Sequence, residues 1–262
     1  MIKYIEFKAF ESSVYPLNIP AFSNIGKLDL SNPITIFVGD NGSGKSTLLK
    51  AIAYDNHSIN VSNHQIDSNY YHEVKVLSEY MKCVYDYKTK KGFFFSGEEF
   101  ISYINHLKQM KMNFKEELER IDEEYKDKSV FASNQARSAA AGQLHQMNQM
   151  YGGDLKEKSH GEGFLTFFKS RMHQKGLYLL DEPETPLSAI NQYQLVVMIT
   201  DLIKNGSQVI IATHSPIIMA LKDAKIYEFT LNQIKEVQYD DIEHVNFMRH
   251  FLNHKDNYID RL

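Results

Sequence analysis

Nine consecutive residues, Gly39-Asp40-Asn41-Gly42-Ser43-Gly44-Lys45-Ser46-Thr47, combine glycines, one lysine and two adjacent hydroxyls in the spacing of a phosphate cradle. The apolar run Ile34 to Val38 precedes them and Leu48-Leu49-Lys50-Ala51-Ile52 follows, so strand, loop and helix start stand in the required order. Glycines let successive N–H groups converge on phosphate oxygens, and a helix N-terminus adds partial positive charge. Lys45 is placed to reach β- and γ-phosphates, and the Ser46 hydroxyl to ligate Mg²⁺. Gly39, Asn41, Gly42, Ser43, Gly44, Lys45, Ser46 and Thr47 are therefore candidate contacts to a nucleoside triphosphate.

Three later segments carry chemistry that a triphosphate would need. Leu177-Tyr178-Leu179-Leu180-Asp181-Glu182 is an apolar strand that ends in two acids. In an open α/β sheet, that end faces the ligand crevice. Asp181 is the candidate metal residue, direct or through water, and Glu182 the candidate to polarise an attacking water. Ser159-His160-Gly161-Glu162-Gly163 would offer a hydroxyl and helix-start amides to an anion, although Ser-x-Gly-Glu is also an ordinary helix N-cap. Ala212-Thr213-His214-Ser215-Pro216 puts a histidine just beyond another apolar strand, where it could bond a γ-phosphate or the attacking water.

Positioning these groups takes a sheet. The first residues alternate, with Lys3, Glu6 and Lys8 against Ile2, Tyr4, Ile5 and Phe7, and predict a partly exposed antiparallel strand. The stretch from Asp55 to Tyr71 is rich in Asn, Ser and His and reads as irregular. Phe100, Ile104, Leu107, Met110, Phe114, Leu118, Ile121 and Tyr125 recur at helical steps, with Glu116 to Lys128 supplying a solvated charged face. A weaker helix is expected from Ser133 to Met150, interrupted at Gly142, and Tyr151-Gly152-Gly153 should end it. Helices at Gly163–His173 and Ala189–Lys204 alternate with strands at Leu177–Leu180 and Val209–Ala212, followed by strand candidates at Lys225–Thr230 and Lys235–Tyr239 and a helix near Asp241–Leu252. Continuous apolar strands between helices predict an α/β fold with a parallel sheet covered on both faces. A single domain over 1–262 is expected, with a helical lobe at about 98–172 inserted in it.

The composition narrows the partners. At 262 residues and 43% hydrophobic content the chain can bury one large core, and a net charge of −4 gives no global basic field for nucleic acid. Lys88, Lys90 and Lys91, or Lys108 and Lys111, could form a local patch or simply a solvated surface. The one cysteine, Cys83, excludes an internal disulfide and fits a reducing compartment. No apolar run approaches the length of a transmembrane segment, and Met1 to Phe7 lacks a signal peptide's apolar stretch, so a soluble cytoplasmic protein is expected.

The order of glycine loop, Ser-His-Gly-Glu, Leu-Leu-Asp-Glu-Pro and Thr-His-Ser resembles the ATP-binding-cassette (ABC) ATPases, on the side of stand-alone bacterial ATPases similar to RecF and SMC proteins. Gly92-Phe93-Phe94-Phe95, Tyr151-Gly152-Gly153 and Asp181-Glu182-Pro183-Glu184 with Leu187-Ser188 look similar to that group as well. The resemblance covers nearly the whole chain. It implies a P-loop fold with a RecA-like sheet, an N-terminal antiparallel portion and a helical lobe. It also implies ATP and Mg²⁺ as ligands and a homodimer closed head to tail on nucleotide. Ser159 and Gly161 of one copy would then contact the γ-phosphate held by the other, with Asp181 on the metal, Glu182 catalytic and His214 the switch histidine.

The chain departs from the resemblance in places. Glu184-Thr185-Pro186-Leu187-Ser188 replaces an Asp-containing loop, which leaves the contact across the dimer open there. Gln65 is a candidate for the glutamine loop, and Tyr15 or Phe10 for stacking on adenine. The reading that follows is an ATP-hydrolysing switch or clamp acting in DNA transactions or defence, with a DNA or effector-protein partner. The alternative is the ATP-hydrolysing subunit of a membrane transporter. A small-molecule phosphotransferase is disfavoured, because the chain carries the cross-dimer signature in place of an acceptor pocket and lid.

Overall fold

The structure, a computed structural model, describes residues 1–8, 14–23, 25–60, 68–150 and 160–259. Strand β1 (Ile2–Phe7) is followed by a short helix α1 (Pro20–Ser23) and by β2 (Lys27–Asp29). β3 (Ile34–Gly39) runs through the glycine loop into helix α2 (Lys45–Asp55). Helix α3 (Ser68–Tyr80) leads directly into β4 (Met81–Tyr85), and β5 (Gly92–Ser96) into the long helix α4 (Gly97–Glu124). Then come α5 (Val130–Met150), α6 (His160–Arg171), β6 (Leu177–Asp181), α7 (Ala189–Lys204), β7 (Gln208–Ala212) and α8 (Pro216–Met219). The hairpin β8 (Lys225–Phe229) and β9 (Ile234–Val237) precedes α9 (Glu243–Asn253) and α10 (Lys255–Ile259).

Two sheets result. β2, β1 and β4 form an antiparallel three-stranded sheet, and the second sheet has the order β5-β6-β7-β3-β8-β9. Its first five strands are parallel, and β9 closes one edge antiparallel to β8. The α/β expectation, with a parallel sheet flanked by helices and an antiparallel N-terminal portion, is the architecture observed.

The central strands are buried on both faces, and strict alternation divides them between two cores. Ile36 and Val38 of β3, Tyr178 and Leu180 of β6, and Val209 and Ile211 of β7 face one side. There they meet Phe164 and Phe168 of α6 and Leu195, Ile199 and Leu202 of α7. Phe37, Leu177, Leu179 and Ile210 face the other side, against Leu48, Leu49 and Ile52 of α2 and Ile2, Ile5 and Leu28 of the antiparallel sheet. Each such fully buried side chain contributes roughly 1.5–3 kcal/mol of transfer free energy. Gln208, buried at the start of β7, ties the two sheets: its amide donates to the carbonyls of Ile2 and Leu30 and accepts from the Ile2 N–H. Helices α2 and α6 thus cover opposite faces of the parallel sheet.

The stripe expected in α4 is real. Ile104, Met110, Phe114, Leu118, Ile121 and Tyr125 are half-buried, whereas Glu116, Glu117, Glu119, Arg120 and Asp122 are exposed. Ser96 caps the helix by accepting from the Glu99 N–H, and Glu98 and Glu99 suit the positive end of its dipole. An Arg137–Asp122 ion pair joins α4 to α5.

Three readings are corrected. α5 begins at Val130 and passes through Gly142 without a break. Residues 68–71 are helical where an irregular stretch was expected, because Val74 and Leu77, three apart, anchor α3 in the core under α2. β4 and β5 were not read as strands, and Phe93, Phe94 and Phe95 of β5 form the buried edge of the parallel sheet beside β6. Tyr151, Gly152 and Gly153 lie outside the described residues.

Candidate functional site

β3 lies between β7 and β8, so its C-terminal end opens where the other parallel strands also end. The backbone must then leave the sheet sharply. Gly39 has φ +132°, and a side chain there would run into the Phe229 carbonyl of β8. Gly44, at φ +97°, turns the chain into α2, and a Cβ at that position would lie 2.8 Å from the Phe22 ring. The N-cap of α2 is Gly44, which has no side chain to bond the first-turn amides, so the cap residue leaves them to a ligand. The buried Lys45 ammonium donates to the carbonyls of Gly39 at 2.8 Å and Asp40 at 2.7 Å and lies 3.5 Å from the Ser43 hydroxyl. Burial lowers its pKa against the opposing pull of Glu182 and Asp181.

The Ser46 hydroxyl donates to Asp181 Oδ1 at 2.7 Å, joining the glycine-loop helix to the end of β6. Asp181 is 4% exposed. Burial pushes its carboxyl up to about 6, offset in part by the Ser46 hydrogen bond and by Lys50. Adjacent hydroxyl and carboxylate oxygens at the mouth of a phosphate cradle suit Mg²⁺, which takes oxygen ligands, keeps several waters and draws other ligands from substrate phosphates. No group of three or more His, Cys, Asp and Glu side chains able to hold a metal occurs among the described residues, so a closed protein cage is not what these residues build. A buried carboxylate with a raised pKa gains most from a cation. The pair therefore fits the metal.

Glu182, one residue on, adopts φ +46°, a left-handed conformation that costs a non-glycine residue on the order of 1–3 kcal/mol. Its N–H donates to the Ala212 carbonyl at 2.8 Å, which holds it at the junction of β6 and β7. The Glu182 carboxylate is 41% exposed and lies 3.8 Å from His214 Nε2. That nitrogen is itself buried and has no hydrogen-bond partner among the described residues. Burial and then the nearby Lys45 lower the His214 pKa, so the imidazole is predominantly neutral near pH 7.

Gly39 to Thr47, Asp181, Glu182 and His214 therefore converge at the C-terminal ends of β3, β6 and β7. Ser159, Gln65 and Phe10 lie outside the described residues. Gly161 stands in the first turn of α6, on the sheet face opposite α2. The Tyr15 hydroxyl hydrogen-bonds the Thr47 hydroxyl at 2.9 Å, which secures this aromatic beside the end of the loop. An open cleft of about 940 Å³ adjoins the loop and is lined by Gly39, Asp40, His214, Leu231, His244 and Phe247 among others.

Two features were missed by sequence reasoning. Glu184 Oε1 accepts from the His214 N–H at 2.6 Å; its signal was a third acid, directly after Pro183, set aside as a departure from the usual loop. Glu99, in the first turn of α4, meets Lys50 of α2 at 3.6 Å and accepts from Asn60 at 3.0 Å. Because β5 was not recognised as the neighbour of β6, nothing in the sequence placed Glu99 near Asp181.

The AAA ATPase domain family model matches residues 54–219, which begins just beyond the glycine loop. The hemin import ATP-binding protein HmuV of Pseudoalteromonas translucida is 26% identical over 210 residues, covering 75% of this chain and 72% of that protein. Among solved structures, an Smc head domain from Pyrococcus furiosus aligns over 96% of this chain and 99% of its own, at 13% identity and TM-score 0.43. The ATP-binding cassette MJ1267 of an ABC transporter, in its ADP conformation, aligns over 95% and 99%, at 15% identity and TM-score 0.47.

Proposed function

This chain belongs to the AAA ATPase domain family and is a P-loop ATPase of ABC- and SMC-like build, and on that premise we propose that it binds Mg²⁺-ATP and hydrolyses it as a nucleotide-gated homodimer. The observation that carries the reading is the 2.7 Å hydrogen bond from Ser46 to Asp181, which pairs metal-ligating oxygens beside an anion-binding loop. The amides of Gly42 to Thr47 and the Lys45 ammonium hold the triphosphate. Ser46 and Asp181 would hold the Mg²⁺, which would supply positive charge against the phosphate oxygens. Glu182, half-exposed, orients the attacking water and takes up its proton, a contribution of typically 10²–10⁴-fold. His214, neutral and with its Nε2 unpartnered among the described residues, holds the γ-phosphate and the water in register.

Within one chain the site has a second side to complete. α6 covers the sheet face opposite α2, which supports assigning Ser159 and Gly161 to the triphosphate held by another copy. Two copies then close head to tail over two ATP molecules, and hydrolysis opens them. The lobe at about 98–172 would carry that motion to a partner. In the favoured reading the partner is DNA, met through local lysines such as Lys88, Lys90 and Lys91, all exposed between β4 and β5. The kinship with a hemin import ATP-binding protein favours a second reading, in which the chain drives a separate permease. No helix among the described residues is long and apolar enough to cross a membrane.

The direct test is release of inorganic phosphate from Mg²⁺-ATP, with and without DNA. The wild-type chain should release it and Lys45→Ala should not. A wild-type chain that releases none under either condition contradicts the reading. Stimulation by DNA that fades as salt rises separates the clamp from the transporter subunit.

A further inference from the structure

Glu184 stands between the two loops that carry Glu182 and His214 and does nothing in the chemistry described so far. Its backbone belongs to the turn after β6, where the Leu187 N–H donates to the Glu184 carbonyl and the Thr185 N–H to the Glu182 carbonyl. Its side chain crosses to the neighbouring turn after β7. There Oε1 accepts from the His214 N–H at 2.6 Å. The other oxygen, Oε2, is buried with no hydrogen-bond partner among the described residues. Burial pushes the carboxyl above its ordinary pKa, against the pull of the His214 amide. An acid kept in such a place costs stability, and an apolar side chain of similar size would pack there without that cost.

The turn after β7 is otherwise tied to β3, where the Thr213 N–H donates to the Phe37 carbonyl at 3.1 Å, to itself, where the Ser215 N–H donates to the Thr213 hydroxyl at 3.0 Å, and to α7. The Ser215 hydroxyl donates to Gln192 Oε1 at 2.7 Å and accepts from the Ile218 N–H, while Gln192 donates to the Leu187 carbonyl. These bonds hold Thr213 before His214 and Ser215 with the residues after it. The backbone of His214 itself is held by Glu184. On the other side, Glu182 is fixed by its N–H to Ala212 and by its left-handed backbone. The 3.8 Å separation of His214 Nε2 from the Glu182 carboxylate is therefore set by two crossings between the same pair of turns.

We propose that Glu184 is a positioning residue that anchors the His214 backbone to the Glu182 turn and so keeps imidazole and carboxylate at working distance over the γ-phosphate. This rests on the proposed ATPase reading for what the two groups do, but not for the anchor itself. Glu184 acts through the His214 backbone that it holds. The loop that departs from the usual acidic pattern thereby acquires a role inside one chain, where the resemblance left a contact across the dimer open.

The test uses the full chain with Glu184→Met, which matches the length and fills the space but offers no acceptor, and Glu184→Gln, which keeps a carbonyl oxygen for the His214 N–H. Hydrogen exchange at the His214 amide reads the anchor without any turnover. Exchange should quicken at least tenfold in Glu184→Met and stay near wild type in Glu184→Gln. Phosphate release reads the consequence: kcat should fall at least tenfold in Glu184→Met with KM for ATP within about threefold, and Glu184→Gln should recover most of it. Unchanged protection of the His214 amide in Glu184→Met, or equal loss of kcat in both variants, overturns the anchor. A wild-type chain without phosphate release overturns the ATPase reading and with it the role in turnover, and the exchange result then shows separately whether the anchor exists.

Discussion

The Ser46 hydroxyl and the Asp181 carboxylate meet across 2.7 Å although 135 residues separate them in the chain. That meeting turns two unrelated sequence motifs into one oxygen pair. Ser46→Ala and Asp181→Asn should each weaken Mg²⁺-dependent ATP binding by about tenfold to a hundredfold, in the range seen when the surroundings of a metal are altered. Binding measured in EDTA should change little. Calorimetric titration with and without Mg²⁺ checks both variants.

The same carboxylate predicts a pH dependence. Burial raises Asp181 to about 6 from its ordinary 3.8. The fold therefore favours the protonated form, so this group's stabilising contribution is complete below about pH 3.8 and is lost as pH rises through about 6. Mg²⁺ needs the ionised form. At pH 5 only about a tenth of the carboxyl is ionised, so Mg²⁺-dependent affinity for ATP should be about tenfold weaker than at pH 8. The difference between wild type and Asp181→Asn across pH 5 to 8, in nucleotide titrations and in melting temperature without nucleotide, isolates both effects.

Gly39 tests the geometry of the loop. With φ +132° and the Phe229 carbonyl of β8 against it, Gly39→Ala meets both backbone strain and a clash. It should cost about 2–4 kcal/mol of folding stability, measured by chemical denaturation. Gly42→Ala, with open space around its Cβ, should cost less and through strain alone.

Glu182→Gln removes the group placed to take the water's proton while keeping its size. Phosphate release should fall by about 10²–10⁴-fold and ATP affinity should stay within a few-fold of wild type. Stopped-flow phosphate detection and equilibrium binding of ATP read the two quantities.

What was legible in the sequence follows from how local each signal is. The loop, β6 with its acids, and the turn at His214 are each written within a few consecutive residues, and a parallel strand buried on both faces has one apolar signature. Their convergence also followed, because parallel strands end on the same side of a sheet. β5 was obscured because Phe93, Phe94 and Phe95 form too short a run to distinguish strand from helix. α3 was obscured because its polar surface outweighs the two anchors Val74 and Leu77. Glu184 and Glu99 gain their meaning only from groups 30 or more positions away, a backbone N–H for the first and a side-chain amide for the second, and no spacing rule reaches that far.

The account depends most on two copies sharing each triphosphate, and the molecular mass of Glu182→Gln in solution tests that directly. Measured by light scattering without ligand, the variant should have the mass of one chain, 30.4 kDa. With Mg²⁺ and ATP it should double, and Ser159→Arg added to it should abolish the doubling while leaving ATP bound. A variant that binds Mg²⁺-ATP and keeps the mass of a single chain at every concentration contradicts the shared site.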